Sequence, residues 1–152
     1  MENESVVELL RRDVTPELYA RIRNEWKAHS MAEDRRDIAG LLATLTEDCV
    51  YEIATTGHVW RGHEGARRFY TELLTAVPDI KFELAAIVIG PQGVCEEATV
   101  TGTQRAAWLD IAASGGRLSL KTVIFFPWDL KRGKFKGEKV YLDLRSLKAA
   151  SP

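Results

Sequence analysis

The segment Leu118–Leu147, LSLKTVIFFPWDLKRGKFKGEKVYLDLRSL, decides the fold class. Two apolar runs rich in β-branched and aromatic residues flank a basic turn at Lys131–Lys136. This arrangement is typical of two antiparallel strands joined by a turn. We therefore predict strands over Leu118–Trp128 and Phe135–Leu147.

Two more strands are predicted immediately upstream. Ile80–Ile89 and Val94–Gln104 are strand-like and flank the turn sequence Gly90–Gly93, and a Gly115-Gly116 pair interrupts the chain before the next strand. Glycine and proline in such short connections favour tight turns. Four long strands joined in order predict an antiparallel meander.

The first half of the chain has mainly helical periodicity. Apolar residues recur at spacings of three and four in three segments, and the first of these begins with Thr15 and Pro16, a typical helix start. A short strand and its return are predicted between the second and third helices. The predicted helices are Thr15–Ser30, Asp34–Leu45 and Ala66–Ala76, and the short strands are Cys49–Ile53 and His58–Trp60.

Helices at the start and antiparallel strands at the end predict one α+β domain. We expect an extension over residues 1–14, the domain over 15–147 and a tail over 148–152. Three helices cover only one face of the sheet, yet apolar runs such as Ala85–Ile89 and Val123–Phe126 also supply the other face. A homodimer that packs sheet on sheet is therefore expected.

Composition narrows the classes of partner. The 152 residues are 45% hydrophobic and 28% charged, as in soluble globular proteins, and 21 basic residues face 22 acidic ones. No basic field is available to hold nucleic acid. The acidic start lacks the pattern of a secretory signal and no segment is apolar enough for a membrane span, so we predict a cytoplasmic protein with no membrane or nucleic-acid partner.

The cysteines and histidines do not indicate a metal site. Cys49 and Cys95 lie in apolar runs and are expected to be buried thiols, while the three histidines lack short metal-ligand spacings. His29 is expected to complement the carboxyl end of the first long helix, and His63 lies in the loop before the third helix. We expect neither a metal nor another cofactor.

Five short motifs together resemble the SnoaL-like polyketide cyclases of the nuclear transport factor 2-like superfamily. The resemblance extends over Leu18–Leu147 and implies a cone-shaped fold, in which N-terminal helices pack on the concave face of a curved antiparallel sheet around a deep pocket. It also implies a dimer through the outer face of the sheet. The motifs are Asp48–Glu52, Gly62–Gly65, Val77–Asp79, Thr101–Gln104 and Tyr141–Asp143.

Asp143 is the candidate catalytic residue. In the cyclases, a carboxylate at the end of the last strand moves protons during an aldol ring closure without metal or cofactor, and Asp143 occupies that place. Strand alternation puts Asp143 on one face with Tyr141 and Arg145. If that face lines an apolar cavity, desolvation raises the carboxyl pKa toward the range of a general base. The alternative is an ion pair with Arg145 or Lys139 on a solvated face.

Gln104 departs from the resemblance, since many relatives carry a histidine at this place. Glutamine can orient a substrate carbonyl but cannot carry a proton near neutral pH. Trp108, in the apolar segment 105–114, is expected either on a lid over the pocket or at the dimer edge. Together with Gln104 and Trp108, the predicted substrate-binding residues are Tyr141, Tyr51, Trp60, His58, Trp26 and Phe126.

Two main functions stay open from the sequence. The first is cofactor-independent acid–base catalysis of the cyclase or isomerase type, in which Asp143 acts on a small, largely apolar or aromatic molecule that bears a carbonyl group. The second is a non-catalytic binding module of the same fold, since the histidines expected of the cyclases are absent. A structural dimerisation domain would instead have its cavity filled by side chains.

Overall fold

The computed structural model describes residues 4–149, without the side chains of residues 146, 148 and 149. The helices are α1 (Val6–Leu10), α2 (Pro16–Asp34), α3 (Ile38–Ala43), α4 (Gly62–Ala76) and α5 (Leu144–Ala149). The strands are β1 (Leu45–Ile53), β2 (His58–Arg61), β3 (Lys81–Gly90), β4 (Gly93–Thr103), β5 (Arg117–Asp129) and β6 (Lys134–Leu142).

Side-chain caps start the helices that carry the site. The Thr15 hydroxyl accepts the Leu18 amide N–H at 3.1 Å, and Pro16 opens α2 as predicted. Asp37 accepts the Gly40 amide N–H at 2.9 Å and starts α3. The predicted helix over Asp34–Leu45 was too long, because Arg36 has a φ of 58° and separates α2 from α3.

The six strands form one open, curved sheet in the order β2-β1-β6-β5-β4-β3. The meander β3-β4-β5-β6 is confirmed, since each consecutive pair is antiparallel. The first strand, β1, lies beside the last one and pairs with it in parallel. The predicted α+β fold with a curved sheet is therefore confirmed, with one parallel pairing that the sequence pattern did not indicate.

A bulge in β6 changes which residues point inward. Between the pairs Phe125–Lys139 and Trp128–Phe135, β6 has one residue more than β5. Gly137 lies within this bulge with a φ of 117°, and a Cβ there would lie 2.0 Å from the Val50 carbonyl oxygen. Only glycine fits this position without displacement of the backbone.

The hydrophobic core lies between the concave sheet face and the helices. Every second residue of β5 is buried, and α2 and α4 cover this face with apolar residues such as Ile22 and Phe69. This alternation is typical of a strand with one buried face and one exposed face. The buried residues of β5 are Leu118, Leu120, Thr122, Ile124, Phe126 and Trp128.

The end of the chain differs from the prediction. The strand predicted as far as Leu147 ends at Leu142, and α5 follows with Leu147 fully buried. The turn forms because the Asp143 carboxylate accepts the Arg145 amide N–H at 3.0 Å, which is the bond of a helix N-cap.

Both predicted terminal segments carry some helix. The extension over 1–14 contains α1, while its first three residues lie outside the described part. Of the tail predicted over 148–152, only residues 148 and 149 lie within the described part, at the end of α5. No helix within residues 4–149 combines the length and apolarity needed to cross a membrane.

Candidate functional site

An apolar cavity of about 40 Å³ lies between the helices and the concave sheet face. A buried water needs roughly 10 to 15 Å³ of such space, so the cavity has room for about three waters. Two acidic residues, Glu33 and Glu138, also line it. The apolar lining includes Ile53, Phe69, Leu73, Trp108, Leu120 and Ile124.

Glu138 is the buried carboxylate of the cavity. Glu138 is only 4% exposed. Its side chain points inward because the bulge at Gly137 places it on the same strand face as Val140 and Leu142. Its Oε1 accepts the Tyr70 hydroxyl at 2.7 Å and lies 3.0 Å from Nε2 of His29. Its Oε2 has no hydrogen-bond partner among the described residues, so this oxygen is available to a molecule in the cavity.

The hydrogen bonds around His29 determine where its protons lie. The Thr44 hydroxyl donates to the Leu41 carbonyl oxygen at 2.7 Å, so Thr44 accepts from Nδ1 of His29, also at 2.7 Å. Nδ1 therefore carries a proton. The 3.0 Å contact between Nε2 and Oε1 of Glu138 then requires one more proton, shared between the imidazole and the carboxyl group.

Two buried tyrosines extend this network. The Tyr51 and Tyr70 hydroxyls are 2.9 Å apart, and because Tyr70 donates to Glu138, Tyr51 donates to Tyr70. Burial raises the pKa of both tyrosines well above the ordinary value, and the charge of Glu138 adds to the effect. Both hydroxyls therefore keep their protons and act as donors toward Glu138.

Glu33 lies between the cavity and the solvent. Desolvation by burial raises the pKa of its carboxyl group well above the ordinary value, and the neighbouring Glu138 and Glu96 raise it further. The residue as a whole keeps some exposure, since it lines both the cavity and an outer cleft. Glu33 is thus a carboxyl group that holds its proton at a pH where ordinary carboxyls have lost theirs.

The outer cleft has a volume of about 150 Å³ and lies between α2 and strands β3, β4 and β5. Glu96 lines it, and its Oε2 accepts the Trp26 indole N–H at 3.0 Å. Burial and then the charge of Glu138 raise the pKa of Glu96 to about 7. The cleft and the cavity share Glu33 and Phe82, so they are adjacent.

His29, Glu33 and Glu138 are the residues that come closest to a metal-ligand set. One ligand atom from each lies within 4.8 Å of the others. However, Nδ1 of His29 bonds Thr44, and Nε2 contacts both Glu138 and Tyr70. A metal would have to displace these bonds, so the arrangement fits proton sharing better than coordination.

Asp143 lies outside the cavity. Its side chain is 42% exposed and forms an ion pair with Arg145 at 2.9 Å, which holds the pKa of Asp143 below its ordinary value. The expectation of a desolvated carboxyl with a raised pKa is wrong, because alternation from Val140 and Leu142 places Asp143 on the outer face. It lies with Tyr141, which is 45% exposed, beside an open surface depression.

Four other predicted binding residues lie at or near the two spaces. Trp108 lines the cavity, and its buried Nε1 has no hydrogen-bond partner among the described residues. Trp26 and Phe126 line the outer cleft. Tyr51 is not among the cavity-lining residues, but its hydroxyl contacts that of Tyr70 at 2.9 Å beside Glu138.

The remaining predicted residues have other contacts. Gln104 is buried and donates to the Ala106 and Ile111 carbonyl oxygens, so it holds the β4–β5 loop. Trp60 donates to Glu72 at 3.2 Å. His58 bonds Thr56 at 2.6 Å and Asp110 at 3.1 Å near the surface.

The sequence interpretation missed His29, Glu33 and Glu138 as site residues. His29 was assigned to a helix dipole, yet it is 2% exposed and lies on the inward face of α2 with Ile22. The spacing of Ile22, His29 and Glu33 indicates a single helix face. Counting back by two from Val140 would likewise have placed Glu138 on the inner side.

Comparison with protein families identifies the domain. The sequence profile of the SnoaL-like domain matches residues 26–136. No curated protein shows a significant match to the chain.

Solved structures share the fold at low sequence identity. A candidate SnoaL-like polyketide cyclase from Jannaschia sp. CCS1 is 18% identical, with a TM-score of 0.76 over 91% of this chain and 96% of that one. AclR, a candidate hydroxylase from Streptomyces galilaeus, is 20% identical, with a TM-score of 0.69 over 86% and 95%. An LEH-like epoxide hydrolase from M. tuberculosis is 18% identical, with a TM-score of 0.67 over 89% and 91%. These neighbours carry different activities on one scaffold.

Proposed function

Because this chain belongs to the family of SnoaL-like domains, we propose that it is a cofactor-independent acid–base enzyme acting on a small, largely apolar carbonyl compound. The observation that carries the proposal is the free Oε2 of Glu138, a carboxylate residue that is 4% exposed and lines an apolar cavity. A carboxyl group in such a setting is suited to proton transfer. Glu138 takes the role that the sequence had suggested for Asp143.

The proposed chemistry uses both cavity carboxyl groups. Oε2 of Glu138 removes a proton from the carbon beside the carbonyl group, and the C–H electron pair forms the enol double bond. Glu33, whose pKa is raised by burial, gives its proton to the carbonyl oxygen. In an isomerase, the enol O–H proton then returns to Glu33 while Glu138 delivers its proton to a different carbon. In a cyclase, the enol carbon attacks a second carbonyl group, Glu138 gives its proton to the oxygen of that group, and the enol O–H proton returns to Glu33.

The surrounding hydrogen bonds support Glu138 in this role. Tyr70 and His29 contact only Oε1, so they orient the carboxyl group and leave Oε2 toward the cavity. The proton between His29 and Oε1 lets the pair adjust its charge as Oε2 gains or loses a proton. Such positioned partners lower the cost of proton transfer in a dry site.

The small size of the cavity means either that the substrate is small or that the cavity widens when the substrate binds. A volume of about 40 Å³ accommodates only a few atoms. Trp108 lines this space and lies on the β4–β5 loop, where Leu109 and Asp110 have φ angles of 49° and 63°. We propose that larger substrates are admitted when this loop moves, which agrees with the lid predicted from the sequence.

Non-catalytic binding is the second candidate function. The observation in its favour is the unpartnered buried Nε1 of Trp108, which can donate to a ligand carbonyl without any proton transfer. Both functions place a small apolar molecule in the same cavity. They differ in whether the carbon-bound protons of that molecule exchange.

The experiment measures this exchange directly. Cyclopentanone in D₂O is followed by ¹H NMR with wild-type protein, Glu138→Gln and Asp143→Asn. We expect wild-type protein to accelerate loss of the protons beside the carbonyl, Glu138→Gln to lower the rate by about 100-fold or more, and Asp143→Asn to leave it nearly unchanged. Circular dichroism of both variants checks that they are folded.

Two other outcomes would contradict the proposal in different ways. Exchange that survives in Glu138→Gln but disappears in Asp143→Asn would return the catalytic role to Asp143. Binding of the ketone by wild-type protein without accelerated exchange would support the non-catalytic module instead.

A further inference from the structure

We propose that the outer cleft is a binding site for an organic ammonium group, with Glu96 as its counter-ion, Glu33 as a neutral hydrogen-bond acceptor beside it and Trp26 as an aromatic wall. The site is separate from the cavity of the proposed reaction and does not depend on proton transfer by Glu138. It lies on the solvent side of Glu33, between α2 and the strands β3, β4 and β5.

Glu96 is the central residue of this site. It is 7% exposed, and only Oε2 is hydrogen-bonded, to the Trp26 indole N–H at 3.0 Å. Its Oε1 has no partner within the described part of the chain, although the residue lines the cleft. A carboxyl group on a side chain as buried as that of Glu96, with only one of its two oxygens hydrogen-bonded, is stabilised by a ligand that donates to the other oxygen.

Among the described residues, the cleft is lined by acidic side chains without basic ones to balance them. Glu33, Asp34 and Glu96 line it, and no lysine or arginine is among its lining residues in the described structure. His29 also lines it, but its nitrogens already contact Thr44, Tyr70 and Glu138. The raised pKa values of Glu96 and Glu33 have the same physical origin, since burial is the largest cause for both, and the charge of Arg36 offsets only part of it at Glu33.

An ammonium group fits this chemistry better than a metal ion. The convergent atoms of His29, Glu33 and Glu138 do not include Glu96, whereas metal binding requires short and convergent contacts. Trp26 and Phe126 supply aromatic surface, which attracts an organic cation and packs against its alkyl part. A volume of about 150 Å³ accommodates a short alkylammonium ion.

Binding should depend on pH through Glu96, because only its ionised form attracts the cation. The groups that face it from α2 are His29, Glu33 and Asp34, and Glu138 faces it from β6, while the lining residues of β3 and β5 are apolar. With a pKa of about 7, we expect affinity to be about tenfold weaker at pH 6 than at pH 8.

The experiment titrates ¹⁵N-labelled protein with butylammonium chloride at pH 8 and follows the Trp26 indole N–H signal, assigned by Trp26→Phe. Butan-1-ol, of the same heavy-atom count but uncharged, is the ligand control. Glu96→Gln removes the charge, and Glu97→Gln is the matched variant, since Glu97 is the exposed neighbour on the outer face. Dispersed spectra confirm that each variant is folded.

We expect butylammonium to shift the Trp26 signal with a Kd at least about tenfold lower in wild type and Glu97→Gln than in Glu96→Gln, and butan-1-ol to show no such difference. Equal affinity in wild type and Glu96→Gln would overturn the proposal. So would a response to ZnCl₂ or MnCl₂ in the absence of any response to butylammonium.

Discussion

A single shared proton joins Glu138 to His29, and hydrogen-bond direction alone reveals it. The Thr44 hydroxyl lies 2.7 Å from the Leu41 carbonyl oxygen, and when it donates to this oxygen, Nδ1 of His29 is the donor to Thr44. The remaining proton lies between Nε2 and Oε1 at 3.0 Å. The free oxygen of Glu138 therefore belongs to a carboxyl group whose other oxygen is held by a buried imidazole.

Glu96 makes folding stability depend on pH. Its pKa is raised from 4.5 to about 7, so the folded state holds this proton more tightly than the unfolded state. The resulting stabilisation is fully present below about pH 4.5 and is lost as pH rises through about 7. A shift of this size corresponds to about 3 kcal/mol.

We therefore expect Glu96→Gln to be more stable than wild type at pH 8, because the variant buries no charge there, and to lose this advantage on acidification. The difference in the free energy of unfolding between the two proteins should shrink from about 3 kcal/mol at pH 8 toward zero near pH 4.5. Urea unfolding across this range measures it, with Glu97→Gln as control. A difference that is independent of pH would contradict the assignment.

The bulge in β6 is the element that builds the cavity. Without the extra residue at Gly137, strand alternation from Phe135 would turn Glu138 outward and away from Tyr70 and His29. The bulge thus re-aims one side chain while the rest of β6 stays paired with β5 and β1.

Gly137→Ala should consequently be strongly destabilising. The added Cβ would lie 2.0 Å from the Val50 carbonyl oxygen at a φ of 117°, so we expect a loss of about 3 kcal/mol or more in the free energy of unfolding. Gly115→Ala is the control, because Gly115 also has a positive φ, 69°, but no atom lies within 4 Å of its Cβ position. Equal losses in the two variants would show that the contact with Val50 is not important.

At the scale of the whole molecule, the outer face of the sheet carries an apolar patch. The register aligns Val88, Cys95 and Phe125 in one row that ends at Lys139, and Val123 and Tyr141 lie beside Glu97 in the next. Val88 is 68% exposed and Val123 is 40% exposed. A patch of this kind on a sheet face is typical of a protein interface.

We expect this patch to form the homodimer predicted from the sequence. Sedimentation equilibrium at micromolar concentration should give twice the chain mass of 17.1 kDa. Val123→Lys should shift the protein toward the monomer by placing a charge in the buried patch, whereas Val14→Lys, at an exposed position away from the sheet, should not. A wild-type mass of one chain would refute the dimer.

The sequence by itself determined the order and type of the elements between α2 and β6, because helix and strand periodicity are local. Thr15 and Pro16 marked the start of α2, and the alternation in β5 and β6 predicted the meander. Strand alternation also correctly predicted that Asp143 lies on the opposite face from Val140 and Leu142.

Only the tertiary structure decided which face of β6 lines the cavity, the face with Val140 and Leu142 or the face with Asp143. That choice depends on where α2 and α4 pack, and strand alternation is the same for either answer. The bulge at Gly137 and the inward face of α2 then bring Glu138 to His29 across 109 positions of sequence. Asp143, assigned to the interior from the sequence, instead caps α5 on the outer face, because its carboxylate is stabilised there by the backbone and side chain of Arg145.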